Sequence, residues 1–394
     1  MLKGKMKSEI LSITEYLGVR SESWLYNQLA NVKKHKIHIA TYNYINQEEY
    51  PFSPVSILPN PNKLTAKLLK LPFYLFERKP LDPGAKAIIS RIIKNENIKL
   101  IQAHFGWMGY KFSELAKRFP IPFIVWLYGS DVFLLRHIYK LKYLFKLPVI
   151  FCLSSNALRR EVEFLGCSPQ RIYVFHPGIN IPSEPSQIIK NHPRLRIISI
   201  GRLINFKNPV GLVEIAKILK SRKVDFVWEH FGEGEMRRAV EDKIKETGVE
   251  DKFFLRGEVS NQTVYEKLGS ADIMVHNAVI APDGGRESFG VVLLEASAFG
   301  APIVSVKLGG ITEIVQHPST GFLLEPGDLQ GMAEKIQLLS KNPELRIQMG
   351  KAGYEYVAKH FDLKKQSEKL DNFYEKLIAS WPDLPEFPDD RTAE

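Results

Sequence analysis

Cysteine is scarce. The 394-residue chain has two, Cys152 and Cys167, too few for a disulfide framework or a cysteine-rich zinc site, so buried thiols in a reducing compartment are expected. No apolar run approaches the roughly 18 residues of a membrane span. The lysine-rich start is followed only by a short apolar patch at Ile10 to Ile13, too brief for the core of a secretory signal. A cytoplasmic chain is therefore expected, neither secreted by that route nor integral to a membrane. Also missing are any Asp-any-Asp pair that would hold a divalent cation and any repeat with a period of about 20 to 50 residues, which excludes solenoids and propellers.

What is present is an ordinary globular composition, 44% hydrophobic and 25% charged, of a length that suits two or three domains of about 100 to 200 residues. Charge is divided unevenly. Residues 1–180 hold 26 Lys and Arg against 12 Asp and Glu, a net +14, while the remainder hold 28 against 32, a net −4. A basic first half attracts nucleic acid, anionic lipid or phosphorylated substrates, and the sign alone does not choose among them.

Short β-rich runs alternate with helical patterns throughout, the signature of parallel α/β domains. The first half predicts strands near Ile10–Thr14, Ile37–Tyr42, Lys99–Phe105, Phe123–Tyr128, Val149–Leu153 and Arg171–Phe175. The second predicts them near Leu195–Ile200, Asp225–His230, Lys252–Leu255, Ile273–His276, Pro302–Val306 and Phe322–Leu324. A stretch with Pro and Ser between the halves reads as a linker. The expected division is an N-terminal domain over 1–180, a linker over 181–193, a C-terminal domain over 194–362, a last helix over 363–381 and a disordered tail over 382–394.

The most informative segment runs from Asp283 to Gly300, Asp-Gly-Gly-Arg-Glu-Ser-Phe-Gly-Val-Val-Leu-Leu-Glu-Ala-Ser-Ala-Phe-Gly. A glycine-rich loop leads through Glu287 into a helix starting near Phe289, whose first amides favour an anion. Glu295 sits in an apolar context where a carboxylate is costly unless compensated, for instance by sugar or ribose hydroxyls. Either glutamate alone is consistent with a solvated helix, but two that bracket a helix N-terminus point to a ligand. In Gly201-Arg-Leu-Ile-Asn-Phe-Lys-Asn-Pro209, Arg202 and Lys207 follow a strand and precede a helix. Cations there are unfavourable unless an anion such as a diphosphate joins them, although solvated loop cations remain an alternative. Phe231-Gly-Glu-Gly-Glu235 lacks the third glycine of a dinucleotide fingerprint and reads as a turn near the ligand.

Together with Gly309-Gly-Ile-Thr-Glu313 and Thr320-Gly-Phe322, these residues resemble the donor domain of glycosyltransferase family 4. That is a retaining family with the α/β GT-B fold, two Rossmann-like doubly wound domains facing a central cleft. The resemblance implies that Arg202 and Lys207 hold a donor diphosphate, that Glu287 with Ser288, Phe289 and Gly290 holds the donor sugar, that Glu295 holds the ribose and that Arg256 and Gly257 lie beside the base. In the first half, Ser21-Glu-Ser-Trp24, Asn27-Gln28, Ala103-His-Phe-Gly106 and Tyr128-Gly-Ser-Asp131 are similar to enzymes that build exopolysaccharide and colanic-acid-type repeat units. Many relatives carry a histidine where this chain has Tyr128, and Asn180 replaces a more usual Asp. Glu287 and His104 are the candidate catalytic residues, His104 near the cleft with a structural histidine at a strand end as its alternative.

The resemblance implies a hexosyl transfer from a nucleotide sugar to a glycan or lipid-linked acceptor in cell-surface polysaccharide biosynthesis. The acceptor attacks from the front face, a donor phosphate oxygen takes its proton, and neither metal, separate cofactor nor protein nucleophile is required. Two rivals stand beside it. A nucleic-acid binder would suit the basic half, but no helix-turn-helix, zinc-finger or aromatic RNP-type motif supports it. A nucleotide-sugar epimerase or non-catalytic relative could share the fold, since fold does not fix function. Phe133–Leu147 and Leu64–Lys79 mix aromatic and leucine residues with basic ones, which suits peripheral contact with an anionic membrane on its inner, cytoplasmic face.

Overall fold

The computed structural model describes residues 7–59, 82–185 and 194–385. The chain divides into two compact units, Met1–Gly178 with Lys364–Glu394, and Ile179–Leu363. The expected linker lies outside the described residues from 186 to 193, and the expected tail does so from 386 onward.

The first unit is built on a seven-stranded parallel sheet. Its strands are β1 (Glu9–Leu17), β2 (Lys36–Tyr44), β3 (Val55–Ile57), β4 (Ile98–His104), β5 (Phe123–Leu127), β6 (Ile150–Leu153) and β7 (Ile172–Val174), in the order β3-β2-β1-β4-β5-β6-β7. Every residue of β5 is buried, as expected of an apolar run covered on both faces. β3 escapes a reading by pattern because it is three residues long at the sheet edge. The order reverses between β1 and β4, so the carboxyl ends of those strands form the switch point where open α/β sheets receive ligands.

The helix Leu363–Ser380 belongs to this first unit. Its Leu370, Phe373, Tyr374 and Leu377 join the core containing Ile10, Ile124 and Trp126. Tyr374 donates to Gln102 Oε1 at 2.7 Å, and Asp371 accepts the amide N–H of Lys33 at 2.8 Å.

The second unit holds β8 (Leu195–Ile200), β9 (Phe226–Phe231), β10 (Phe253–Gly257), β11 (Ile273–Val275), β12 (Ile303–Val306) and β13 (Gly321–Leu324), all parallel in the order β10-β9-β8-β11-β12-β13. Ile197 pairs with Trp228 on one side and Ile273 on the other, so β8 and β11 flank this unit's switch point. Its two chain ends meet. Ile179 donates to Phe361 O at 2.9 Å, and Leu363 donates back to Ile179 O at 2.8 Å. Both cysteines are buried free thiols.

Because the Phe373 ring is fully buried among side chains of several strands, Phe373→Ala should lower the stability of the first unit by about 3 to 5 kcal/mol. Urea denaturation followed by tryptophan fluorescence reads this out, and a loss no larger than a surface substitution gives would show that the helix is not part of that core.

Candidate functional site

The loop after β8 is shaped by backbone contact. Gly201 donates to Phe231 O and Leu203 to Glu233 O, both at 2.9 Å. Gly232 has φ of 136°, and a Cβ there would lie 2.1 Å from Gly201 O, so the glycines after β9 serve to pack that turn against the loop carrying Arg202 and Lys207. Asn208 then adopts a left-handed conformation and accepts from Gly211 N at 3.3 Å, with Pro209 opening the helix Pro209–Ser221. Arg202 is exposed and has no ion-pair partner among the described residues. Lys207 turns inward.

There it meets Glu287. The Lys207 ammonium donates to Glu287 Oε2, and the same oxygen receives His276 Nε2 at 3.2 Å. His276 Nδ1 lies 3.3 Å from Ser305 Oγ. With Nε2–H donated to a carboxylate, Nδ1 is the lone-pair nitrogen and accepts the Ser305 hydroxyl. Burial pushes the Glu287 carboxyl up, but Lys207 and the His276 contact outweigh it and hold the group well below the usual carboxylate range. Burial likewise keeps His276 from charging, even with that carboxylate beside it. The cluster thus carries one cation, one anion and one neutral imidazole.

Past Glu287 the chain enters the helix Val291–Ala298. Gly290 at its N-cap has φ of 92° and no side chain caps the first amides; Leu293 N–H turns back to Gly290 O at 2.8 Å, and the amides before it are those a ligand can meet. The helix starts two residues later than expected, because Phe289 is not in it. The Phe289 ring is buried and packs 6.0 Å from Phe361, so Phe289 can offer a ligand its backbone only. Ser288 Oγ, just before this helix, and both amide atoms of Asn277, which lies against Gly211 at the start of the helix Pro209–Ser221, are buried without a hydrogen-bond partner among the described residues. Buried polar atoms of that kind call for one.

Glu295 lies one helical turn further along and is half-buried. Tyr265 donates to its Oε1 at 3.4 Å, and burial pushes the carboxyl up to about 7. Arg256 donates to Glu229 Oε1 at 2.7 Å and stacks on Phe254. Gly257 ends β10 with φ of 75° and accepts Gly232 N–H at 2.8 Å. The structure therefore brings Lys207 to Glu287, and sets Ser288, Gly290 and Glu295 around one short helix. Sequence reasoning missed His276, Asn277, Ser305 and Tyr265. The His-Asn pair directly after a buried strand was the available signal, since carboxyl ends of strands are where such sheets present ligand groups.

His104 lies in the first unit and not in this cluster. It is fully buried, with Nε2 at 2.8 Å from Ser12 Oγ and Nδ1 at 2.8 Å from the Tyr128 hydroxyl. Burial lowers its pKa to about 3. A neutral ring with both nitrogens engaged holds the Tyr128 hydroxyl in place, as the structural alternative for His104 expects. Asp131 is also fully buried and takes the amides of Gly106, Tyr128 and Gly129 at 2.9, 3.1 and 2.9 Å, tying the loops after β4 and β5 together.

The raised pKa of Glu295 fixes the sign of a pH effect. A carboxyl whose folded value lies above its unfolded value contributes stability that is present below about pH 4.5 and lost as pH rises through about 7. Glu295→Gln should therefore be neutral to folding near pH 5 and raise the Tm of the nucleotide-free protein near pH 8. Thermal melts at both values check this, and an unchanged Tm at pH 8 would count against the buried carboxyl.

Comparison with known proteins gives concordant results. A family model described as "Glycosyl transferases group 1" matches residues 180–356, and one described as "Glycosyltransferase Family 4" matches residues 25–182. The chain is 26% identical over 379 residues, 90% of this chain and 91% of the relative, to N-acetyl-alpha-D-glucosaminyl L-malate synthase of Bacillus anthracis. It is 28% identical over 264 residues, 65% of this chain and 64% of the relative, to the amylovoran biosynthesis glycosyltransferase AmsK of Erwinia amylovora. Among solved structures, Anabaena Alr3699/HepE in complex with UDP-glucose superposes with a TM-score of 0.74 at 18% identity, over 93% of this chain and 99% of that one. With two doubly wound parallel sheets and matches over both units, the chain belongs to glycosyltransferase family 4, and is a sugar-transferring enzyme with the GT-B fold.

Proposed function

We propose that the enzyme moves a hexose from a nucleotide-diphosphate sugar to a glycan or lipid-linked acceptor, with retention at the anomeric carbon and without a metal, in assembly of a surface polysaccharide. The observation that carries this reading is the buried Lys207–Glu287–His276 cluster set between exposed Arg202 and an uncapped helix start. UDP-glucose in the solved neighbour and the polysaccharide role in one relative's name support the donor class and the pathway.

Departure of a nucleoside diphosphate leaves negative charge on its phosphates while the anomeric carbon becomes oxocarbenium-like. Arg202, Lys207 and the amides after Gly290 supply positive charge for the former. Glu287 supplies negative charge and hydrogen-bond acceptors for the sugar, held in place by His276. Ser288 and the Phe289 backbone complete the sugar's surroundings, Glu295 accepts from ribose hydroxyls, and Arg256 and Gly257 border the base. Among the described residues no group of three or more His, Cys, Asp or Glu is placed to hold a metal ion, and the cations just named carry the phosphate charge in this reading. Turnover of the nucleotide sugar without any acceptor would favour the epimerase alternative.

A thermal-shift panel of UDP-, GDP- and ADP-sugars finds the donor, because a ligand bound only to the native state raises its stability. With the best nucleotide, Arg202→Ala should weaken binding about tenfold or more in calorimetric titration. Glu287→Gln should instead cut turnover by about a hundredfold while leaving nucleotide affinity within a few-fold. Unchanged binding in the first variant, or matched losses of binding and turnover in the second, would remove these assignments.

The same reading includes peripheral contact with an anionic membrane surface on the cytoplasmic side. No helix among the described residues is long and apolar enough to cross a membrane. On the helix Leu135–Leu144 and its following turn, Leu135 (72% exposed) and Tyr139 (56% exposed) share a face with exposed Lys142 and Lys146. Lys140 turns away from it toward His137. The Leu64–Lys79 segment lies outside the described residues. Each cation near anionic lipid contributes about 1 kcal/mol, so Lys142→Gln with Lys146→Gln should reduce co-sedimentation with phosphatidylserine vesicles at low salt. Absence of binding by the unaltered protein, or binding indifferent to both changes, would defeat this part.

A further inference from the structure

The first unit carries a cluster of like charges that the donor reading does not use. Arg136, His137 and Lys140 lie near the start of the helix Leu135–Leu144. Arg136 Nε is 3.3 Å from His137 Nε2, and Lys140 Nζ is 3.2 Å from His137 Nδ1. A neutral imidazole has a single lone pair and an imidazolium has none. One ring nitrogen can accept a cation's N–H; the other must face a donor with a donor. Arg136 and Lys140 are also like charges four apart on a helix, which disfavours the pair. Neither has a carboxylate within ion-pair distance among the described residues.

The surroundings are built from the switch point of the first sheet. The Trp107 ring, in the first turn of the helix Gly106–Phe112 that follows β4, stands 5.3 Å from His137 and donates Nε1–H to Glu15 Oε2 at 2.9 Å, near the end of β1. Phe105 lies parallel to Trp107 at 4.5 Å and holds φ of 71° with ψ of 141°, a conformation ordinarily left to glycine. Strain of that kind is kept where a side chain must be aimed, and here it sets one wall of the cluster. Trp107, His137 and Lys140 are half-buried and Arg136 is exposed, so the group is desolvated in part yet open. Burial, then Lys140 and Arg136, keep His137 neutral by lowering its pKa to about 4. Burial and Arg136 also pull Lys140 below its ordinary value, with Glu15 a lesser, opposing influence.

We propose that Arg136, His137, Lys140 and Trp107 form a binding subsite for an anionic group, a phosphate or a carboxylate, carried by the sugar acceptor. An oxyanion beside the imidazole takes charge-assisted hydrogen bonds from Arg136 and Lys140 and accepts the ring N–H that otherwise faces a cation. The Trp107 ring offers a flat apolar wall to the body of the same molecule. Assignment to the acceptor rests on the proposed transfer reaction, in which the donor occupies the other unit; the anion subsite itself does not.

The test uses the full chain labelled with 15N at tryptophan, its Trp107 indole signal identified by loss in Trp107→Phe. Inorganic phosphate and malonate are titrated separately. The expected result is a saturable shift of the Trp107 signal by at least one of them, weakened tenfold or more in the Arg136→Gln, Lys140→Gln double variant, retained in Lys140→Arg and unaltered in Arg202→Ala. A stronger response to phosphate indicates a phosphorylated acceptor, and a stronger response to malonate a carboxylated one. No Trp107 shift in the unaltered protein, or equal affinity in the double variant, overturns the subsite. Nucleotide affinity of the double variant, expected unchanged, serves as its folding check. Failure of the unaltered protein to bind any nucleotide sugar would sink the donor reading and leave the anion titration standing as its own result.

Discussion

A carboxylate buried at the carboxyl end of a parallel sheet is tolerable only if something beside it carries the opposite charge. Glu287 meets that condition through Lys207, which arrives from a different strand end, and through His276, which adds a hydrogen bond without a charge. The arrangement around it follows from this requirement. Lys207 must come inward, so the loop after β8 must be compact, and it is compact because Gly232 lets the β9 turn press against Gly201. His276 must hold one tautomer, so Ser305 stands behind it on β12. Arg202, left outside the pair, remains free to meet an anion.

Removing either member of such a pair leaves a buried charge alone, at a cost of about 3 to 5 kcal/mol for a fully desolvated pair. Lys207 is not fully desolvated, its side chain being 18% exposed, so in the proposed reaction it has room to meet a second anion, that of the donor, beside the fixed one. In that proposed reaction a donor phosphate drawing Lys207 away from Glu287 would free an acceptor oxygen for the sugar. The neutral His276 keeps that carboxylate in place throughout.

Much of this was legible in the sequence. Apolar β-branched runs such as Ile197–Ile200 and Ile303–Val306 fix strands by pattern, and Pro209 after Asn208 marks a helix start through backbone chemistry local to those residues. The glutamate pair at 287 and 295 stood out because a carboxylate among Val, Leu and Ala is costly wherever it occurs. Other features depend on approach in space. His276 looks like the end of a strand until Glu287 is beside it, and His104 looks solitary until Ser12 and Tyr128 engage both its nitrogens. The Phe105 backbone left no mark on its neighbours in sequence, since a non-glycine residue at φ of 71° is sustained by the packing of Trp107 and Tyr128 around it.

The two ends of the second unit are fastened to each other, Ile179 exchanging backbone hydrogen bonds with Phe361 and Leu363. Since β1–β7 before it and most of the helix Leu363–Ser380 after it belong to the first unit, the second unit is topologically an insertion, a closed cassette entered and left at one point. A cassette whose ends are already joined imposes almost no loop-closure cost on the domain that hosts it. One such module could then be exchanged for another, or a host sheet could acquire a new one, without redesign of either core.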